Sequence, residues 1–283
     1  MKEQTSSINV DLLLQQIREQ ATFQTPIAKH FGVITAADAS FYPGLQILVA
    51  SIRVGIPICV FDLGLTDKQR DWLRANGASI EKTAMMMGPQ ISGWQMWNKV
   101  LYWKHSPFVF TLWIDADCVV TGSLDPLFTR IEKAPFVVRH PFGANYCRRN
   151  DAELRSLFPV VAPIPDDQPL NSGVFGFAGH RDRQILDKCE ELTRAAAADE
   201  IVRRLITFYD EGVLHWALEA LGRPEVIVDE PRWNEFFSSD SSDPQDFVNL
   251  IHQISSTGGV IAHFTGRPKP WEKWTNLGDQ GIC

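Results

Sequence analysis

The sequence is short of several things. Its five cysteines, Cys59, Cys118, Cys147, Cys189 and Cys283, are scattered, odd in number and form no C-x-x-C pair. That argues against a disulfide framework and against a cysteine-rich zinc site. Cys283 is the last residue and so heads no C-a-a-X prenylation box. A basic surplus is missing too: 27 Lys and Arg stand against 34 Asp and Glu, a net charge of -7. This does not fit a nucleic-acid binder, though it leaves room for a local basic pocket facing an anionic small molecule. No apolar run approaches the ~20 residues of a membrane span. The opening "MKEQTSSINVDLLLQQ" has neither an apolar signal-peptide core nor a small-residue cleavage site. A cytoplasmic protein without a transmembrane segment is expected. There is no repeat at a solenoid period and no convincing linker. What remains is ordinary for a globular chain: 45% hydrophobic and 22% charged residues, with a length that fits one large domain or one domain and an appendage.

The pattern predicts a helix over residues 8–20, where Leu13, Leu14 and Ile17 make one apolar stripe. The stripe packs on its own domain or serves a partner contact, such as a homo-oligomer. Residues 1–30 are read as this helix and a link to the main fold. From residue 31, apolar strands alternate with helices. "FGVIT", "PICVFDLG" and "FVFTLWI" read as buried strands; "YPGLQILVASIRVG", "TDKQRDWLRANG" and "GWQMWNKVLYWKH" read as helices. Thr66 and Gln69 can form a capping box, and Gly77 is a stop. Continuous apolar strands between helices imply an α/β fold with a parallel sheet covered on both faces. The second half is less regular, with helices at "SLDPLFTRI", "RDRQILDKCEELTRAAAADEIVRRL" and "FYDEGVLHWALEALG", and strands at "PFVVRH", "LNSGVFGFAG" and "GGVIAHFTG". "FFSSDSSDPQDF" reads as a surface loop.

"FTLWIDADCVV" sets Asp115 and Asp117 at the carboxyl end of an apolar run. Buried carboxylates are costly unless something pairs with them. If the strand persists, residues two apart share a face, and ligands in open α/β sheets bind outside that end. Two like charges there conflict, and a hard divalent cation, Mg²⁺ or Mn²⁺, removes the conflict. The plain alternative is that Asp115 caps a turn and Asp117 is solvated.

Other pieces follow in a particular order: "VITAADASFY", "WNKVLYW", "DAD", "LNSGVFGF", "YDEGVLHWAL" and "HFTGRPKPW". The series, over about residues 31–275, resembles the retaining glycosyltransferases of family 8, which have the GT-A fold, a Rossmann-like and mostly parallel sheet flanked by helices. The resemblance implies one domain over 31–283, with a nucleotide-binding half to residue 120 and a donor-sugar and acceptor half after it. It implies a UDP-sugar donor, a Mn²⁺ or Mg²⁺ ion held by Asp115, Asp117 and His263, and transfer to a hydroxyl acceptor with retention. Lys269 matches the phosphate-binding lysine, with Gly266 allowing close backbone approach. Asp38 matches the uracil-contacting position, with Ala36 beside it, Ser40 where many relatives have Asn, and Phe41 placed to stack on the base. Lys99 matches a basic residue near the diphosphate. Ala116, Ser172 and Gly173 fall within the donor-binding motifs. Asn171 and Asp210 stand where the family positions sugar hydroxyls.

Glu211 is a departure, because the family usually has Gln there. A carboxylate at that place can stabilise an oxocarbenium-like carbon or attack it; the plain reading is an acid favoured by the helix N-terminus. The acceptor is expected at the irregular second half, where "RHPFGANYCRRN" offers Arg139, His140, Tyr146, Arg148 and Arg149. "MMMGPQISGWQMW" reads either as a lid or as core. Three rivals stand beside transfer: a nucleotidyltransferase, whose Gly-rich basic loop after the first strand "TAADASFYPG" lacks, a sugar-nucleotide-binding protein without catalysis, and a purely structural or interaction protein, which nothing repetitive or patch-like supports.

Overall fold

The computed structural model describes residues 13–17, 30–52, 55–140, 151–165, 169–237, 244–266 and 269–272. A short helix, α1, covers residues 13–17. The first half then runs β1 (Phe31–Ala37), α2 (Tyr42–Ser51), β2 (Ile58–Asp62), α3 (Asp67–Ala75), β3 (Ala78–Glu81), α4 (Trp94–Trp97), α5 (Lys99–Lys104) and β4 (Phe110–Ile114). After β5 (Cys118–Val120) come α6 (Asp125–Lys133), β6 (Phe136–Arg139), α7 (Asp151–Leu157), β7 (Leu170–Ala178), α8 (Arg183–Ala198), α9 (Glu200–Leu205) and α10 (Tyr209–Leu221). The chain continues through β8 (Ile227–Val228), β9 (Glu235–Phe237), α11 (Pro244–Ser256) and β10 (Ile261–Phe264).

Seven strands form the main sheet in the order β3-β2-β1-β4-β7-β6-β8. β1 pairs in parallel with β2 and β4, and β2 with β3. β7 runs antiparallel to both β4 and β6, so the parallel order read from the first half stops there. Every residue of β7 is buried. An apolar run covered on both faces reads the same in either direction, so its sense was not legible. Apolar side chains from α5, α8 and α10 cover one face of the sheet, and those from α2, α3 and α6 the other.

Local signals explain several boundaries. α3 begins at Thr66, whose Oγ1 accepts from Gln69 N at 3.3 Å while Gln69 Oε1 accepts from Thr66 N at 2.9 Å, and Gly77 beyond its end lies at φ +83°. The single helix expected over "GWQMWNKVLYWKH" is instead split into α4 and α5 at Asn98. That side chain accepts from Met86 N at 2.7 Å and donates to Met87 O at 2.7 Å and Trp94 O at 2.8 Å. The "MMMG" segment is thereby fastened to the helix break, and the residues after it form a wall of the cleft described below.

A second, three-stranded sheet has the order β5-β10-β9. Beside it, Leu13, Leu14 and Ile17 of α1 are buried with Ile47, Phe247 and Ile251. The apolar stripe of the N-terminal helix therefore faces its own domain. The linker at 18–29, the loop at 238–243 and the segment 141–150, with Tyr146, Arg148 and Arg149, lie outside the described residues.

Candidate active site

The Asp-Ala-Asp segment is a turn. β4 ends at Ile114, and Cys118 N donates back to Asp115 O at 3.0 Å. The expectation that alternation along one strand aims both carboxylates the same way is corrected by this turn, which sends them to different partners. Asp115 N donates to Gly173 O at 2.9 Å, tying the turn to β7. Phe264 N donates to Asp117 O at 3.0 Å, and β5 pairs with β10 so that His263 stands opposite Cys118. Strand pairing thus brings two distant motifs together.

Lys99, buried at the start of α5, reaches Asp115 Oδ1 at 2.8 Å and Asp210 Oδ2 at 2.6 Å, with Ser172 Oγ at 3.4 Å. Its ammonium lies 5.3 Å from the Trp113 ring centre, and Trp113 Nε1 donates to Asp115 Oδ1 at 2.6 Å. Ser172 Oγ also donates to Asp210. Burial works to lower the Lys99 pKa, yet Asp115 and Asp210 outweigh it and hold the ammonium well above the ordinary lysine range. Asp210, buried in α10, is pushed up, first by desolvation and then by the charge of Asp115, against the pull of Lys99.

Asp117 is held from the other side. Lys269 Nζ donates to Asp117 Oδ2 at 2.6 Å and to Phe264 O at 2.6 Å. His263 Nε2 lies 3.3 Å from Asp117 Oδ1. Burial raises the Asp117 pKa, but His263, when protonated, and Lys269 outweigh it and keep the carboxyl well below the usual carboxylate range. Asp117, Cys118 and His263 bring an oxygen, a sulfur and a nitrogen to within 4.8 Å of one another. Carboxylate and imidazole together fit a divalent cation. The Cys118 thiol, not singled out from the sequence as a site residue, is pushed well above its ordinary value by burial and then by Asp117 and Asp115. Asp115, expected as a ligand, turns its carboxylate to Lys99 and Trp113.

Behind His263, its Nδ1 lies 3.0 Å from Asn234 Oδ1. Asn234 Nδ2 donates to Asn171 Oδ1 at 2.8 Å, which also accepts from Gly173 N at 2.9 Å, and Asn171 Nδ2 donates to Glu211 Oε1. A Cβ on Gly173 would run into the His263 ring. The glycine is needed there to leave room for the His263 ring.

In front of the acids lies a cleft of about 340 Å³, lined by Ala36, Asp38, Phe41, Lys99, Asp115, Ala116 and Asp117. Gln95, Trp113 and Tyr209 line it as well and were missed. Asp38 follows β1 and organises the turn into α2: its Oδ1 accepts from Ser40 N at 2.9 Å, Ser40 Oγ at 2.6 Å and Phe41 N at 3.2 Å. Its Oδ2 accepts from Gln95 Nε2 at 3.2 Å. Partial burial opposes its charge, but these donors keep its pKa below the ordinary value. Ser40 is exposed and faces Asp38. Asn171, Ser172, Gly173, Asp210, Glu211, His263, Gly266 and Lys269 do not line this cleft; Arg267 and Pro268 lie outside the described residues. Arg139 pairs with Asp229 at 3.3 Å, and the His140 ring lies 4.6 Å from Phe236, which packs 5.3 Å from His263.

Tyr209 enters the cleft wall from a strained backbone. Phe208 and Tyr209 have φ of +59° and +53°, in the left-handed region that non-glycine residues rarely adopt. The Tyr209 ring lies over Gly93, itself at φ +70°, where any Cβ would collide with it. No sequence signal marks this conformation; it follows from Tyr209 packing on Gly93 and edge-on to Trp97 at 5.7 Å.

The family model described as "Glycosyl transferase family 8" matches residues 33–275. No curated protein matches the chain significantly. Among solved structures, an active-site Gln→Glu mutant of LgtC is 16% identical, with a TM-score of 0.57, covering 85% of this chain and 89% of its own. The galactosyltransferase LgtC in complex with donor and acceptor sugar analogs is 16% identical, with a TM-score of 0.56 and coverage of 87% and 95%. The apo form of the glycosyltransferase GlyE of Streptococcus pneumoniae TIGR4 is 16% identical, with a TM-score of 0.53; the match covers 86% of this chain and 56% of GlyE. These likenesses show that the fold is shared.

Proposed function

The chain belongs to glycosyl transferase family 8, and from that membership we propose that it moves a sugar from a UDP-sugar to a hydroxyl acceptor, with a divalent cation and with retention. The observation that carries this reading is the meeting of Asp117 with His263 and Lys269 beside a cleft that Asp38, Phe41 and Asp115 line. The cleft takes the nucleotide, with Asp38 and Ala36 at the uracil and Phe41 stacked on it. Asp117 and His263 would hold a divalent ion, which would supply positive charge to offset that growing on the departing diphosphate.

The chain's own groups do the rest. Lys269 supports that charge; opposite charges at 4 Å interact by about 4 kcal/mol at an effective dielectric near 20. Lys99, bridging Asp115 and Asp210, fixes both carboxylates, and so sets Asp210 for a sugar hydroxyl. Glu211, gripped by Asn171, offers its carboxylate to the positive charge at the anomeric carbon. The bond from that carbon to the diphosphate breaks with its electron pair leaving on UDP. The acceptor oxygen bonds to the carbon, and its proton passes to the departing diphosphate, whose oxygen gains negative charge as the bond breaks.

A panel of UDP-sugars, scored for UDP release with Mn²⁺ or Mg²⁺ and with EDTA, tests the reading. Release from one or a few sugars, abolished by EDTA, is expected. Binding without release from any sugar would make the protein a sugar-nucleotide binder, and no binding at all removes the proposal. Glu211→Gln is expected to lower kcat on the order of a hundredfold; unchanged turnover would leave Glu211 no charge-specific role.

A further inference from the structure

Asn234 is fully buried in the turn before β9, and no motif marks it. Its amide lies between His263 and Asn171, and the direction of every hydrogen bond in that chain is forced. Gly173 N–H is a backbone donor, so the Asn171 atom that meets it at 2.9 Å is the oxygen. The remaining end of Asn171, its nitrogen, then faces Glu211, which when ionised only accepts. The same Asn171 oxygen meets Asn234 at 2.8 Å, so Asn234 presents its nitrogen there. Asn234 therefore turns its oxygen to His263 Nδ1 at 3.0 Å, and that nitrogen must carry a hydrogen. A neutral His263 ring then holds a lone pair on Nε2, 3.3 Å from Asp117 Oδ1. Two acceptors at that distance need a cation or a second proton between them.

We propose that Asn234 is a positioning residue: fixed through Asn171 by Gly173 and Glu211, it holds the His263 proton on Nδ1 and leaves Nε2 to face a divalent cation beside Asp117. The inference rests on the reading of His263 as a cation ligand. It also links the cation site to Glu211, since one unbroken chain of hydrogen bonds joins the two. Partners of this kind behind a ligating histidine set its tautomer and ring orientation, and losing one typically weakens metal binding by roughly 10–100-fold.

Proton–nitrogen correlation NMR of the histidine rings reads the tautomer directly, at about pH 8, above the ordinary histidine range. His263→Gln assigns the signal. In the wild-type, metal-free protein Nδ1 is expected to carry a proton. In Asn234→Leu the neutral ring is expected to move its proton to Nε2, where Asp117 accepts it. Mn²⁺ titrated in the presence of UDP, followed by electron paramagnetic resonance, is then expected to bind about 10–100-fold more weakly. Asn234→Asp keeps an acceptor for Nδ1 and is expected to keep its proton there, which separates the hydrogen bond from packing.

An unprotonated Nδ1 in the wild type overturns the proposal, and that measurement stands even if Asn234→Leu fails to fold. So does an Asn234→Leu variant with the wild-type tautomer and Mn²⁺ affinity. A protonated Nδ1 in a wild type that binds no Mn²⁺ upholds the hydrogen-bond chain and overturns the cation reading. Mn²⁺ bound with an unprotonated Nδ1 overturns the role of Asn234 alone.

Discussion

Lys99 answers the question that two acids in an apolar strand pose. One buried ammonium serves Asp115 and Asp210 together, and Lys269 serves Asp117. Removing one partner of a buried ion pair leaves an uncompensated charge and costs about 3–5 kcal/mol. Lys99→Met is therefore expected to lower stability by about that amount, read from the denaturant midpoint, and to abolish UDP release. An unchanged midpoint would mean that the acids do not depend on it. Another acid, Asp62, has a buried side chain and does not line the cleft. Burial opposes its charge, but Gly64 N at 2.9 Å, Leu65 N at 2.7 Å and Arg70 at 2.8 Å hold its pKa below the ordinary range. A depressed value means stability that is fully present above the unfolded pKa of about 3.9 and is lost as pH falls through the lower folded value. Asp62→Asn is expected to cost about 1–3 kcal/mol at neutral pH. Urea melts should show the gap to wild type shrinking below about pH 4.

At the scale of elements, the strain seen among the described residues lies at the start of α10. Its first residue, Tyr209, and the preceding Phe208 both lie in the left-handed region, at a cost of order 1–3 kcal/mol each. Phe208 is 41% exposed, so glycine there relieves the backbone but gives up the covered part of the ring. The two effects are of similar size, about 1–3 kcal/mol each, so Phe208→Gly is expected to leave the denaturant midpoint within about 1 kcal/mol of wild type; a loss of several kcal/mol would show that the ring contributes much more than its backbone costs. α10 also shows what can be read from sequence. Its span and its stop at Gly222, φ +64°, follow from local signals, as does the Thr66 capping box. The split at Asn98 does not, because it depends on Met86 and Met87 arriving from a loop. The direction of β7 was hidden for a similar reason: pairing, not pattern, decides it.

Over the whole molecule, the cleft joins residues from β1, α4, α5, the turn after β4 and α10. The residues that come together there, Asp38, Phe41, Lys99, Asp115 and Asp117, were legible because each sits in a short motif whose order along the chain carried information. Asn234 was not, because its role exists only where β9 meets β10 and β7. Trp113 and Gln95 were missed likewise, each acting through a side-chain hydrogen bond that no spacing announces. A chain with net charge -7 gathers Lys99 and Lys269 around three acids, which suits a site for a diphosphate and a cation together. Calorimetric titration of UDP into the wild-type protein, with Mn²⁺ and again with EDTA, tests that account most directly. Saturable binding with Mn²⁺ that falls by at least about tenfold in EDTA is the predicted result. UDP that fails to bind, or that binds equally well without the cation, would contradict it.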